Sequence, residues 1–424
     1  MSEVVTAFLR HCGEVLLLRR GDAVGTYPGR WGGVSGYVEP ETDDPVDDAR
    51  RELREEVGAA APTLVRRGEP LSVADDGRSW RVHPFLFETD DRTVDPNEEV
   101  ADWEWAPPPA MSDRETVPKL WAAYRRVGPT PATVAADERH GAAYLSVRTL
   151  EALRDGAAAV AAGGGADDEH ALADLVADLR TARPGMAAPR NRLHRVLAEV
   201  DPAADRERLV ERAHEAVDAA LTADAAAGTA AADALPERVA TLSYSETVRA
   251  ALRAAAPAEV VVAESCPGGE GVDLARALRA DGLDATLVPD AALAHVLGTG
   301  RVDAAVVGAD AVGPDGRVVN KVGTRGLALA CDAADRPLYV VAAGDKVAPA
   351  PASDWEPALG DRSEAVGVDG DEVPAETPLY DATPADCEAV TLVTEDGPLD
   401  GDGSDALARR HRERAAAAEA WLER

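Results

Sequence analysis

The sequence predicts an α/β multidomain chain in three parts, and three changes of pattern along it carry that reading. Residues 1–128 alternate strand-like and loop-like segments around a single helix. Residues 132–236 turn to Ala, Leu, Arg and Asp, with apolar residues at helical spacing. Residues 237–424 set short apolar strands between helices. A chain of 424 residues exceeds one ordinary core, so two or three domains are expected.

In the first part, residues 4–9 and 15–19 read as strands around a turn at 11–14, and 80–88 (WRVHPFLFE) has strand composition. Between them, residues 36–59 (GYVEPETDDPVDDARRELREEVGA) end in an acidic cluster. A helix over 49–57 places Glu52, Glu55 and Glu56 on one face, three and four residues apart. Carboxylates crowded in this way repel unless a cation joins them. Mg²⁺ is the natural one, a hard ion that takes oxygen ligands while binding substrate phosphates, with Mn²⁺ as an alternative. Gly36 allows a close turn before the helix, and Gly58 ends it in the left-handed region. Glu99 offers an extra carboxylate as metal ligand, base or simple rim acid, and Trp103 and Trp105 read as core and edge packing. Pro107 to Pro109 and Pro129-Thr130-Pro131 punctuate a short helix at 117–126 and mark the domain boundary.

Arg51, Glu52, Leu53, Glu55, Glu56, Gly58 and Ala59 match the second half of the Nudix box, and the first part of the chain resembles that family. The resemblance implies a Nudix α/β/α sandwich that hydrolyses nucleoside diphosphate derivatives, with Glu52, Glu55 and Glu56 on the metal and Arg51 beside them. The first half of the box departs from the pattern. Gly36 lies one residue too far from Arg51, and the middle Glu falls on Glu41 or on Asp43, depending on the end from which it is counted. That Glu pairs with the Arg in the family, so the partner of Arg51 is open.

In the second part, Leu172, Leu175, Val176 and Leu179, and then Leu209, Ala213, Val217 and Leu221, recur at helical spacing. Gly163-Gly164-Gly165 and the alanine run 223–232 read as flexible interruptions. In the third part, strands are expected at 239–242, 259–263, 285–288, 304–307, 338–342 and 389–393, and helices at 246–255, 271–281, 291–297 and 324–334. Continuous apolar strands separated by helices indicate a Rossmann-like parallel sheet covered on both faces, whose ligands bind beyond the carboxyl ends of the strands. Ser243, residues 264–271, Asp310 and residues 344–346 then share one rim.

That rim suits a sugar phosphate. Gly268, Gly269 and Gly271 let backbone N–H groups approach an anion at a helix start, and Cys266 lies in the same loop. Lys321 stands between Asn320 and Gly323, where a phosphate or a structural carboxylate is the expected contact. Asp310 directly follows an apolar strand, as a crevice carboxylate or as a helix cap. Residues 241–245 (TLSYS), 264–271 (ESCPGGEG), 308–312, 319–324 and 380–384 together resemble the family of the translation initiation factor 2B regulatory subunits and of the methylthioribose-1-phosphate and ribose-1,5-bisphosphate isomerases. His140-Gly141-Ala142 and Arg183-Pro184-Gly185-Met186 resemble its helical-domain motifs. The resemblance implies a nucleotide or sugar-phosphate ligand and a homo-oligomer, a dimer or larger, formed through this module. The isomerases use a Cys and an Asp. Asp310 matches the Asp, Ser243 stands at the Cys as in the non-catalytic subunits, and His140 replaces an Arg next to Arg139.

Net charge is −33, with 77 acidic against 44 basic residues, and Lys119, Lys321 and Lys346 are the only lysines. Such a surface suits a halophilic cytoplasmic protein, since screening shrinks to roughly 3 Å in 1 M salt. It argues against direct nucleic-acid or membrane binding. Four scattered cysteines suggest neither zinc nor disulfides, and no run approaches the roughly 18 apolar residues of a membrane span.

Overall fold

The computed structural model describes residues 2–75, 77–137, 140–163, 168–200, 205–350 and 376–422; Arg139, Gly164 and Gly165 lie outside them. The chain folds as two units. One comprises Met1–Thr133, Arg148–Leu175 and Pro202–Asp218, and the other comprises Val134–Val147, Val176–Asp201 and Ala219–Arg424.

The first unit is built on strand Ser2–His11. It pairs antiparallel with Glu14–Arg20 and Val34–Tyr37 and parallel with Arg78–Glu88. Alternation along this strand separates two cores. Val5, Ala7 and Leu9 meet Leu53 and Val57 of the helix Pro45–Val57, while Phe8 joins Leu120, Ala123 and Tyr124 on the opposite face. The result is the expected α/β/α sandwich. The expected helix at 117–126 shortens to Leu120–Tyr124. The acidic helix starts earlier than its apolar spacing suggests. Pro45 fits the first turn, and the Asp44 side chain accepts from Val46 N–H at 3.1 Å.

This unit also takes in helical residues from beyond the proline-rich stretch, through buried charge. Arg154, fully buried, donates from Nη1 to Gly13 O and from Nε to Asp155 Oδ1, both at 2.8 Å. Asp155 Oδ2 accepts from the Tyr124 hydroxyl at 2.8 Å. Arg10 joins Glu88 at 2.9 Å and Glu151 at 3.5 Å.

In the second unit, six parallel strands run in the order Ala285–Val288, Glu259–Ala263, Arg238–Thr241, Ala304–Val307, Leu338–Val341, Val390–Thr394. Gly397–Leu399 adds an antiparallel edge. The order reverses at Arg238–Thr241, which opens a crevice between its end and that of Ala304–Val307. Three features depart from expectation. The alanine run 223–232 does not interrupt a helix but completes Arg206–Ala232, since alanine is the strongest helix former. Ala311–Val312, Val318–Lys321 and Tyr380–Thr383 form a small antiparallel sheet that places Lys321 opposite Tyr380. A helix, Gly401–Leu422, closes the chain. No helix among the described residues is long and apolar enough to cross a membrane.

Candidate functional sites

In the first unit, the acidic helix borders a cavity of about 400 Å³. Glu52, Arg51, Glu39, Glu99 and Arg20 line its polar end, and Leu71, Val73, Trp80, Val82 and Ala123 its apolar end. Gly36 passes so close to this helix that a Cβ there would overlap the Glu52 carboxylate. The partners of Arg51 are Glu52 at 2.9 Å, Asp48 at 3.0 Å, Glu55 at 3.2 Å and Glu39 at 3.6 Å. Neither of the two positions counted for the middle Glu is among these; Asp48 and Glu39 lie beside Arg51 instead.

Glu56 is buried, and its carboxyl is pushed up to about 8, chiefly by burial and then by the Glu52 charge, against Arg20 and the Ser35 N–H. Burial also raises Glu52, opposed by Arg51. Glu55 is exposed. The three box carboxylates do not converge tightly. Among the described residues, the one trio of donors within 4.8 Å of one another is Glu264, Cys266 and Asp290. Arg51 Nη1 holds Glu52 and Glu55, while buried Glu56 faces Arg20 and the Ser35 N–H. Oxygen donors whose charges oppose each other at Glu52 and Glu56 fit a hard divalent cation.

The remaining walls hold residues that the sequence did not single out. Arg20 is fixed by Thr26 O at 2.9 Å and Ser35 Oγ at 3.1 Å. Tyr27, whose hydroxyl donates to Asp75 at 2.9 Å, lies 5.8 Å from Trp80 ring to ring. Lys119 Nζ reaches Ser72 O at 2.9 Å. Trp103 and Trp105 lie outside this cavity.

In the second unit, Asp310 and Ser243 follow the two strands at the switch point. The Asp310 carboxylate is buried, accepts from Ala142 N–H at the start of the helix Ala142–Gly163, and faces Lys346, Lys321 and Arg183. Burial raises its pKa despite these cations. A strand, Ala311–Val312, follows Asp310, so the helix start it meets belongs to a distant part of the chain. Lys346 is 3 % exposed, and burial lowers its pKa against the pull of Asp224 and Asp310. Tyr380, raised by burial and by Asp310, completes the ring.

Lys321 meets a structural carboxylate, Glu270 Oε1, at 2.7 Å, and Asn320 Nδ2 donates to Thr324 Oγ1 at 2.9 Å. Arg183 donates to Ala135 O at 3.3 Å and to Asp137 O. His140 turns to Asp137 at 2.8 Å.

The glycine loop departs from the anion cradle expected of it. Gly269 N–H donates to Ser265 O and Gly271 N–H to Glu264 O, while Asp290 accepts from Ser265 and Cys266 N–H. The Gly269 and Gly271 donors are used inside the loop, and those of Ser265 and Cys266 on Asp290. Burial, Glu264 and Asp290 raise the Cys266 thiol, which disfavours its thiolate. Ser243, at φ 61°, donates its N–H to Ser265 Oγ at 2.6 Å.

Two family models match the chain. The model of the Initiation factor 2 subunit family matches residues 138–401, and that of the NUDIX domain matches residues 2–128. A methylthioribose-1-phosphate isomerase of Gemmatimonas aurantiaca is 39% identical over 104 residues, covering 24% of this chain and 30% of the isomerase. A putative translation initiation factor eIF-2B subunit 2-like protein of Pyrococcus furiosus is 32% identical over 182 residues, covering 41% and 63%. The chain thus spans less than two thirds of either relative. The crystal structure of the Pyrococcus horikoshii translation initiation factor eIF-2B superposes with a TM-score of 0.55 at 28% identity, covering 63% of this chain and 94% of that one.

Proposed function

Because the chain belongs to the initiation factor 2 subunit family and carries a NUDIX domain ahead of it, we propose a hydrolase joined to a phosphate-ligand module. The NUDIX domain cleaves the pyrophosphate bond of a nucleoside diphosphate linked to another moiety. The observation that carries this reading is the two-ended cavity, acidic at Glu52 and Glu99 and apolar at Leu71, Val73 and Trp80. Glu52, Glu55 and Glu56 would hold Mg²⁺, with Mn²⁺ as an alternative, and the ion would neutralise charge on the diphosphate and make a bound water more acidic.

The chain's own residues do the rest. Arg51 orients Glu52 and Glu55, and Arg20 stands ready for a phosphate oxygen. Tyr27 and Trp80 offer ring faces to the base, and Glu99 takes the proton of the attacking water. The test is phosphate-ester release from a panel of nucleoside diphosphate derivatives in high-salt buffer with Mg²⁺, with Glu55→Gln and Glu56→Gln alongside. Hydrolysis of one compound that collapses in both variants supports the assignment. No hydrolysis of any compound removes it.

In the second unit, Arg183, Asn320, Lys321 and Lys346 bind a nucleotide or sugar phosphate beside Asp310, with Ser243, Cys266, Gly268 and Gly269 on the same rim. Residues 132–236 and 237–424 act as the helical and ligand-binding domains of one cytoplasmic, homo-oligomeric module. An ADP-ribose-like substrate unites the halves, since its cleavage yields AMP and ribose 5-phosphate. Release of no AMP from ADP-ribose, with another dinucleotide cleaved, removes that link. Ser243 favours a binding or translation-factor-like role, which copurification of initiation factor 2 tests. Asp310 beside Lys346 favours a sugar-phosphate isomerase, tested by turnover of ribose 1,5-bisphosphate or methylthioribose 1-phosphate with Asp310→Asn as control.

A further inference from the structure

The closing helix Gly401–Leu422 begins where the family match ends, at residue 401. It packs on the helix Ala187–Glu199. The seam between them gathers cations in a chain of net charge −33. His194 is 5 % exposed and His411 is 2 % exposed. Among the described residues, both ring nitrogens of His194, Nδ1 of His411 and Nε of Arg195 have no hydrogen-bond partner. His411 Nε2 lies 3.2 Å from Gly344 O, so it donates there and leaves Nδ1 as the buried lone pair of the neutral ring.

The charges that face these groups are mostly of one sign. His194 faces Arg180, Arg190 and His411; His411 faces Arg195, Arg410 and Arg414; Arg195 faces Arg414, Arg192 and Arg410. The nearby acids offset part of this charge, Asp345 by direct pairing with Arg195 and Glu395 from further off. Asp345 is shared by Arg192 and Arg195, Glu419 pairs with Arg180 at 3.0 Å, and Glu395 accepts from Gly344 N–H at 2.8 Å. Burial first, and the arginines after it, hold both imidazoles down at about 4 and Arg195 at about 10. Arg195, a quarter exposed, and half-buried Arg190 and Arg414 leave the seam open to a solute.

We propose that this seam binds a multivalent oxyanion of the phosphate class, with Arg190, Arg195 and Arg414 as its charge partners and His194 and His411 as donors once protonated. None of these residues belongs to the Asp310 crevice or to the NUDIX cavity. An anion there relieves the repulsion among the arginines and draws protons onto both histidines, so binding takes up protons and strengthens as pH falls from neutrality.

The test titrates the full chain with inorganic pyrophosphate in metal-free, EDTA-containing buffer by calorimetry. Arg195→Gln and Arg414→Gln are compared with Lys321→Gln in the crevice. Affinity of the proton-coupled binding event is expected to fall about tenfold or more in each seam variant, the loss of one charge-assisted hydrogen bond, and to persist in Lys321→Gln, which weakens any binding in the crevice alone. Binding lost only in Lys321→Gln, or unaltered in the seam variants, overturns the proposal. Proton uptake is read on the unmutated chain in buffers of different ionisation heat. It does not depend on how a variant folds, and its absence, or the absence of any binding, overturns the proposal equally.

Discussion

Replacing Arg154 by Met tests the buried network of the first unit most directly. The substitution keeps an apolar stem of similar length and removes the guanidinium. Gly13 O and Asp155 Oδ1 each lose a donor at 2.8 Å, and Asp155, 1 % exposed, keeps the Tyr124 hydroxyl alone among these partners. Two charge-assisted hydrogen bonds at roughly 1.5–3 kcal/mol each set the scale, and a buried ion stripped of its partner costs about 3–5 kcal/mol. We expect a loss of about 4 kcal/mol from this unit. Chemical denaturation read by tryptophan fluorescence measures it, because Trp31, Trp80, Trp103, Trp105 and Trp121 all lie here and Trp121 stacks on Tyr124 at 5.6 Å. The second arm is Arg154→Met with Asp155→Leu. Removing both charges recovers most of the loss if buried unpaired charge is its origin. A loss under about 1 kcal/mol in the single variant, or a double variant no better than the single, refutes the reasoning.

Other outcomes follow from single contacts. Gly36→Ala places a methyl group on the Glu52 carboxylate, so hydrolysis is expected to fall about 10²-fold with the fold intact by circular dichroism; full activity would show that Glu52 has room to move. His194 and His411 have folded pKa values near 4, below the ordinary value of 6.5. The unfolded chain therefore binds their protons first, and stability is flat above about pH 7 and lost between about pH 6.5 and 4, by up to about 3 kcal/mol for each histidine. Urea midpoints across that range check this, and an unchanged slope in His194→Asn refutes it. Asp381 accepts from the N–H groups of Gly323 and Arg325 at the start of helix Thr324–Ala333, so Asp381→Ala should cost about 1 kcal/mol in the same measurement.

What the sequence made legible was local in origin. Strands with continuous apolar runs, such as Glu259–Ala263 and Ala304–Val307, have the bounds their composition suggests. The acidic helix was legible in its last turns, where spacing and Gly58 agree, and less so in its first, where Pro45 and Asp44 read as loop until their capping geometry is seen. Partners distant in sequence leave no such mark. The rim reading brought Asp310 and Lys346 to one edge and gave Lys321 a carboxylate as one of two expected contacts, but nothing in the spacing points to Ala142 N–H or singles out Glu270. The same limit explains the glycine loop. Its glycines were rightly tied to unusual backbone, with Gly268 at φ 103° and Gly269 at φ 70°, but whether the freed N–H groups face a ligand depends on which acceptors lie near. Ser265 O and Glu264 O, a few residues away, take two of them. A glycine-rich turn is therefore an argument about where the backbone can go. The argument for an anion comes from positive charges that face one another, as Arg195, Arg410 and Arg414 do along the seam.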